Sequence, residues 1–213
     1  LLNVDNHQLV YSSEVLEFAS CGNAYIRRLE SGDLPDRSLF IPEMLALLTS
    51  LYAAFIRIPA NEPYFDDGNE KFVSEEEWSE VYTKMTIALG RNNDYLDIPD
   101  EEEYDRSELV RRKISEDLAD IYQDIKDFLE LYRVGTEEVM NDALWECRMN
   151  FENSWGQKTL RAAAALHSAY KKVLKGFDGS DTGPDDFNNK INTDNWFISM
   201  RQREMGGESE LPE

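Results

Sequence analysis

A chain of 213 residues with 41% hydrophobic and 11% aromatic content is long enough for one good core and too apolar to be disordered throughout. Its net charge of −21 excludes nucleic-acid binding through a basic face. The excess sits in residues 61–107, at about −11, and in the tail from 176, at about −6, while the best helical stretches are nearly balanced. Charge placed on connectors reads as solubility rather than as a rigid mimic of a phosphate backbone.

The opening residues, LLNVDNHQ, carry no basic segment and no small-residue cleavage site, so they do not themselves read as a targeting leader. Helix signals then follow closely. The first helix is predicted from Ser12 or Ser13 to about Glu30, with Val15, Leu16, Phe18, Ala19, Ile26 and Leu29 inward and Gly32 and Pro35 closing it. The second starts near Ser38, tolerates Pro42 in its first turn and ends before Pro59. Leu45, Leu48, Tyr52, Phe55 and Ile56 make it apolar over most of its surface, the pattern of a central helix surrounded by others. Its most apolar run, Met44–Ile56, is closed by Arg57 and is too short to span a bilayer.

Residues 60–73 read as a loop. Ser74 and Glu77 form a capping box that opens a third helix, which stops at Gly90. An acidic connector covers 91–106. The next helix begins between Ser107 and Ser115 and ends at Gly135, with a seam of Ile114, Leu118, Ile121, Ile125, Phe128 and Tyr132. Thr136 caps the last long element, whose inner face runs from Met140, Leu144, Cys147, Phe151 and Trp155 to Ala162, Leu166 and Val173. Either one helix crosses Gly156 or two meet there; a glycine inside a helix costs about 1 kcal/mol, which close backbone approach would explain. The polar tail from Gly176 contains one aromatic cluster, Trp196-Phe197-Ile198. Cys21 and Cys147 lie among apolar helical residues and fit free thiols in a reducing cytoplasm.

Few residues suggest chemistry. His7 and His167 have no zinc-ligand spacing, and no phosphate-binding glycine loop or nucleophile elbow is present. Asp178, Ser180, Thr182 and Gly183 imitate the start of a calcium loop, but the twelfth place is Asn189, which cannot give the bidentate carboxylate.

The row Asp117, Asp120, Asp124 and Asp127 is more informative. It occupies one arc of a helix, with Asp117 and Asp124 beside the apolar seam and Asp120 and Asp127 directed further out. Such spacing holds Mg²⁺ in all-helical pyrophosphohydrolases, and Glu77-x-x-Glu80 followed by Glu102-x-x-Asp105 matches that ligand pattern formally. Charge pairing across a helical hairpin is the simpler account. A fold-back at Gly135 sets Arg148 level with Asp120 to Asp124, and Lys158 faces inward near Asp117, where it serves as one half of an ion pair or as an anion-binding position.

The runs ISEDLADIYQDIKDFL (114–129) and MNDALWECRMNFENSWGQKT (140–159), followed by Leu166-His167, resemble the bacterial family called domain of unknown function 5063. The likeness is looser over 41–59 and 74–98 and does not reach the tail after 176. It implies a helical protein and transfers no activity, cofactor or catalytic residue.

These readings predict an all-α fold, an antiparallel bundle of five or six helices over residues 1–175 with one long helical hairpin, and a polar extension over 176–213. A non-enzymatic cytoplasmic interaction or regulatory protein, with a protein as partner and no cofactor, is the expected function. The alternatives are a Mg²⁺-dependent phosphohydrolase using Asp117, Asp120, Asp124, Glu77 and Glu80, and a ligand-binding bundle with a pocket at Tyr122, Trp145 and Trp155.

Overall fold

Short-range capping sets where the helices begin. The computed structural model describes residues 9–32, 36–65, 68–98 and 109–174. Helix α1 (Ser13–Glu30) follows Ser12, whose hydroxyl accepts from the Val15 N–H at 3.3 Å. Helix α2 (Arg37–Phe55) starts just before Ser38 because Asp36 accepts from the Ser38 N–H at 2.9 Å. Helix α3 (Glu75–Leu89) has the expected reciprocal capping box between Ser74 and Glu77. Helix α4 (Ile114–Val134) ends at Gly135, whose φ of 56° is the left-handed conformation that glycine adopts without strain. Helix α5 (Glu137–Asn150) follows Thr136, which accepts from the Val139 N–H.

The last helix resolves the question posed by Gly156. A π-helical turn, Phe151–Trp155, joins α5 to α6 (Gly156–Leu174), so one rod runs through the glycine. A Cβ at Gly156 would lie 2.6 Å from the Phe151 carbonyl oxygen and 2.8 Å from its ring. Close approach does require glycine here, and the neighbour is the helix's own widened turn. The Trp155 indole donates to the Cys147 carbonyl at 3.0 Å and ties that turn together.

The acidic connector holds an element the sequence did not suggest. Strands β1 (Asp94–Asp97) and β2 (Val110–Lys113) pair antiparallel, with Tyr95 opposite Arg112 and Asp97 opposite Val110. The fold is therefore mainly helical with a small two-stranded sheet, not purely α. Asn93 closes the base of this excursion. Its carbonyl accepts from the Ile114 N–H and its side chain from the Ser115 N–H, both at 2.8 Å, so it caps α4 from across the connector.

Helix α2 packs between α1 and α6, whereas α4 packs between α3 and α5 and also reaches α1 and α6. Where the two groups meet, Phe18, Phe55, Phe128, Phe151 and Trp155 form an aromatic cluster, with Phe55 and Trp155 edge to face at 4.9 Å. Two apolar residues escape the expected burial: Leu16 and Ile56 are both exposed. Leu16 lies a full residue step around the wheel from Val15, outside the arc that Phe18, Tyr25 and Leu29 bury.

Among the described residues, helix α2 is not surrounded. By length and composition Ser38–Phe55 is apolar enough to cross a membrane, a longer stretch than Met44–Ile56, yet only 39% of it is buried. Cys21 and Cys147 are both free. Pro35, His7, Glu102, Asp105, the calcium-like segment and the Trp196 cluster lie outside the described residues.

Candidate functional site

The aspartate row of α4 is where the sequence pointed, and each member meets a different element. Asp117 is buried, accepts the Tyr95 hydroxyl from β1 and stands 3.5 Å from the Arg161 guanidinium of α6. Asp120 accepts the Trp78 indole N–H of α3 at 2.9 Å and pairs with Lys158 of α6 at 2.7 Å. Asp124 accepts from the Asn150 amide at the end of α5, at 2.8 Å. Asp127 is also buried, accepting the backbone N–H groups of Phe72 and Val73 at 2.8 and 3.1 Å, with the Lys71 ammonium 3.7 Å away. One helix thus fastens the sheet, α3, the end of α5, α6 and the loop before α3.

Three sequence expectations change. Lys158 pairs with Asp120, not Asp117, whose cationic neighbour is Arg161. A helical wheel drawn straight through from Met140 omits the π turn, which adds a residue and rotates all that follows. Arg148 does not meet the aspartates: its guanidinium donates to the Ile58 and Pro59 carbonyls at 2.9 and 2.7 Å and sits over the Phe55 ring. Asp127 points inward, because the loop at 72–73 lies over it and supplies two donors.

Two members of the row are electrostatically strained. Burial pushes the Asp117 carboxyl up to about 6, against the lowering effects of the Tyr95 hydroxyl, Arg161 and Lys158. Burial likewise raises Asp124 to about 6, opposed by Lys71, Lys158 and Asn150. Burial and the adjoining Asp117 carboxylate lift the Tyr95 hydroxyl far above its ordinary value. Shifted acids mark functional sites in many proteins, but structural networks shift them too.

The residues of the phosphohydrolase alternative are not gathered around one point. Glu77 accepts from the Ser74 N–H at 2.9 Å and from Lys126 at 3.1 Å, whereas Asp120 meets α3 through the next residue, Trp78. Glu80 is exposed and lines a cleft of about 300 Å³ with Glu30, Lys84, Tyr122 and Lys126. Among the described residues, no group of three or more His, Cys, Asp and Glu side chains is disposed to hold a metal ion. The proposed aromatic pocket separates as well. Trp155 is in the core cluster, Trp145 is half-buried on α5, and Tyr122 turns its hydroxyl to Glu30 and Lys126, each at 2.8–2.9 Å.

A second constellation lies where sequence reasoning saw only a loop. Asp142 of α5 is buried, and its two carboxylate oxygens accept the N–H groups of Tyr64 and Phe65 at 2.7 and 2.9 Å. The buried Asn61 amide donates to the Asn141 carbonyl at 2.9 Å, and Asn141 returns a bond to the Glu62 carbonyl at 2.8 Å. Asn69 and Lys71 both bond Glu146 at 2.7 Å. The backbone of 61–65 is thereby fixed, while the side chains it carries face water: Tyr64 is 51% and Phe65 54% exposed. The adjacent aromatic residues Tyr64 and Phe65 were the available signal; the clamp itself comes from residues some 78 positions away.

No curated protein matches the chain. The crystal structure of protein BF1032 from Bacteroides fragilis is similar, with 34% sequence identity and a TM-score of 0.68, over 76% of this chain and 95% of that one. A family model matches residues 9–172, well beyond the stretches that carried the likeness in the sequence. The chain belongs to the family described as domain of unknown function, DUF5063.

Proposed function

We propose that this chain is a non-enzymatic cytoplasmic interaction protein, an antiparallel helical bundle that presents the loop 61–65 to a protein partner and uses no cofactor in doing so. The observation that carries this reading is the clamp. A buried carboxylate and two buried amides hold five residues of backbone while leaving Tyr64 and Phe65 in solvent. Loop backbone fixed in advance lowers the ordering cost of association, and aromatic side chains supply most of the contact energy in protein interfaces. The surroundings favour a basic partner surface: Glu62 and Glu70 flank the pair and Asp66 and Asp67 follow it in the chain. The opposite course of α4 and the α5–α6 rod, with Asp124 beside Asn150 and Asp117 beside Arg161, supports the bundle.

The test is a comparison of affinity-purified complexes from native cells, quantified by mass spectrometry. Replacing Tyr64 and Phe65 together by serine should remove the specific partner while leaving the melting temperature unchanged within about 2 °C, as exposed positions allow. An identical set of partners from both proteins would sink the reading.

A further inference from the structure

We propose that the outward face of α2 is the surface through which two copies of this chain associate, as an antiparallel pair related by a two-fold axis near Ser50. This surface is separate from the loop at 61–65 and the inference does not depend on it.

A helix that is apolar on all sides normally lies in the middle of a protein, yet α2 leaves a full stripe in water. Leu39, Glu43, Ala46, Ser50, Ala53 and Arg57 recur at spacings of four and three, and all are exposed. Leu39, at 68%, is among the most exposed large apolar side chains described. The Thr49 hydroxyl beside this stripe turns back to the Leu45 and Ala46 carbonyls at 2.8 and 3.0 Å, so its polar atom is satisfied within the helix. No charge interrupts the chain between Glu43 and Arg57, in a protein of net charge −21. Neutral surface of this length, in so acidic a protein, marks a face that is covered in use.

The charges at its ends say what covers it. Glu43 and Arg57 each lie seven residues from Ser50 in opposite directions, Glu43 within α2 and Arg57 just past its C-cap Ile56, where its guanidinium donates back to the Ala53 carbonyl at 3.1 Å and stays along the stripe. An antiparallel crossing of two α2 helices at Ser50 therefore sets Glu43 of each copy beside Arg57 of the other. The same residues meet twice, as a two-fold interface requires. Both are already oriented along the flanks of the stripe, Glu43 by Arg28 at 2.7 Å and Arg57 by Glu17 at 2.6 Å, and both remain about half-exposed. Ala46, Ser50 and Ala53 at the centre allow the axes to approach to about 8 Å, the short end of the helix-packing range. The stripe carries one charge of each sign, so pairing through it adds no local repulsion. A bilayer is the poorer occupant, since the acidic chain is repelled by anionic lipid.

The experiment is sedimentation equilibrium of the full chain over the micromolar range. A dimer is expected, and Ser50→Arg should make it monomeric with unchanged helical circular dichroism. Glu43→Arg alone should weaken association by about tenfold or more, the effect of placing like charges across an interface. Adding Arg57→Glu to that variant should restore it, which keeps the proposal testable even if Ser50→Arg fails to fold. A monomer at every concentration would overturn it. So would a dimer indifferent to these substitutions, or a monomer that floats with phosphatidylcholine–phosphatidylglycerol vesicles, which would make lipid the occupant.

Discussion

Helices α2 and α4 are almost equal in length and opposite in design. Helix α4 carries an apolar stripe and a row of four aspartates, and the row is directed into the protein, where each carboxylate holds a different segment. Helix α2 carries almost no charge, yet a long strip of it faces solvent. Charge that looks like surface does internal work, and apolar residues that look like core form an outer face. The reversal follows from partners. An aspartate is stable inside when donors converge on it, and an apolar helix stays partly outside when its neighbours leave one face uncovered.

The sharpest way to break this comparison is to remove one of the buried acids. Asp127→Ala strands the N–H groups of Phe72 and Val73 beneath the loop, and should cost about 2–4 kcal/mol in urea unfolding. A loss below 0.5 kcal/mol, on the order expected of a surface site, would show that the row is decorative.

A smaller effect, of opposite sign, is expected at Asp124. Its folded carboxyl titrates near 6, above the usual aspartate value, so the native state binds the proton more tightly than the unfolded state does. Stability contributed by Asp124 and Asp117 should therefore increase as pH falls from 7 through 6 towards the unfolded value near about 4. Thermal melts should show a higher midpoint at pH 5 than at pH 7. Asp124→Asn, which keeps an acceptor for Asn150, should raise the midpoint at pH 7 by a few degrees and flatten the pH dependence. A midpoint that falls steadily on acidification would contradict the assignment.

The smallest effect belongs to α2. Thr49→Lys puts a charge on the exposed stripe and should change the unfolding free energy of the isolated protomer by no more than about 0.5 kcal/mol. A large loss, measured by urea unfolding at high dilution, would mean that the stripe is packed within the protomer.

Much of the helical framework was legible because its signals are local. Ser12, Ser74 with Glu77, Thr136 and Gly135 act on groups within four residues, so their effect can be read from a short window. Burial was legible only as far as periodicity carries it. The wheel placed Ile121 and Phe128 correctly but could not show that, among the described residues, one face of α2 stays exposed. The short strands Asp94–Asp97 and Val110–Lys113 lack a hydrophobic alternation, and their pairing is set by Asn93 and by Tyr95 reaching Asp117. The partners of the acidic row were also out of reach. Asp127 and Asp142 bind backbone N–H groups, which every residue but proline carries and no sequence pattern distinguishes.

Asn93 gives the chain between the third and fourth helices a particular tolerance. Because this one side chain and its carbonyl join the two ends of the excursion, the start of α4 is secured independently of what lies between Asp97 and Val110. Lengthening such a closed loop costs little, since closure entropy grows only with the logarithm of its length. A change in the length of this segment should therefore leave the register of the helices on either side unaltered.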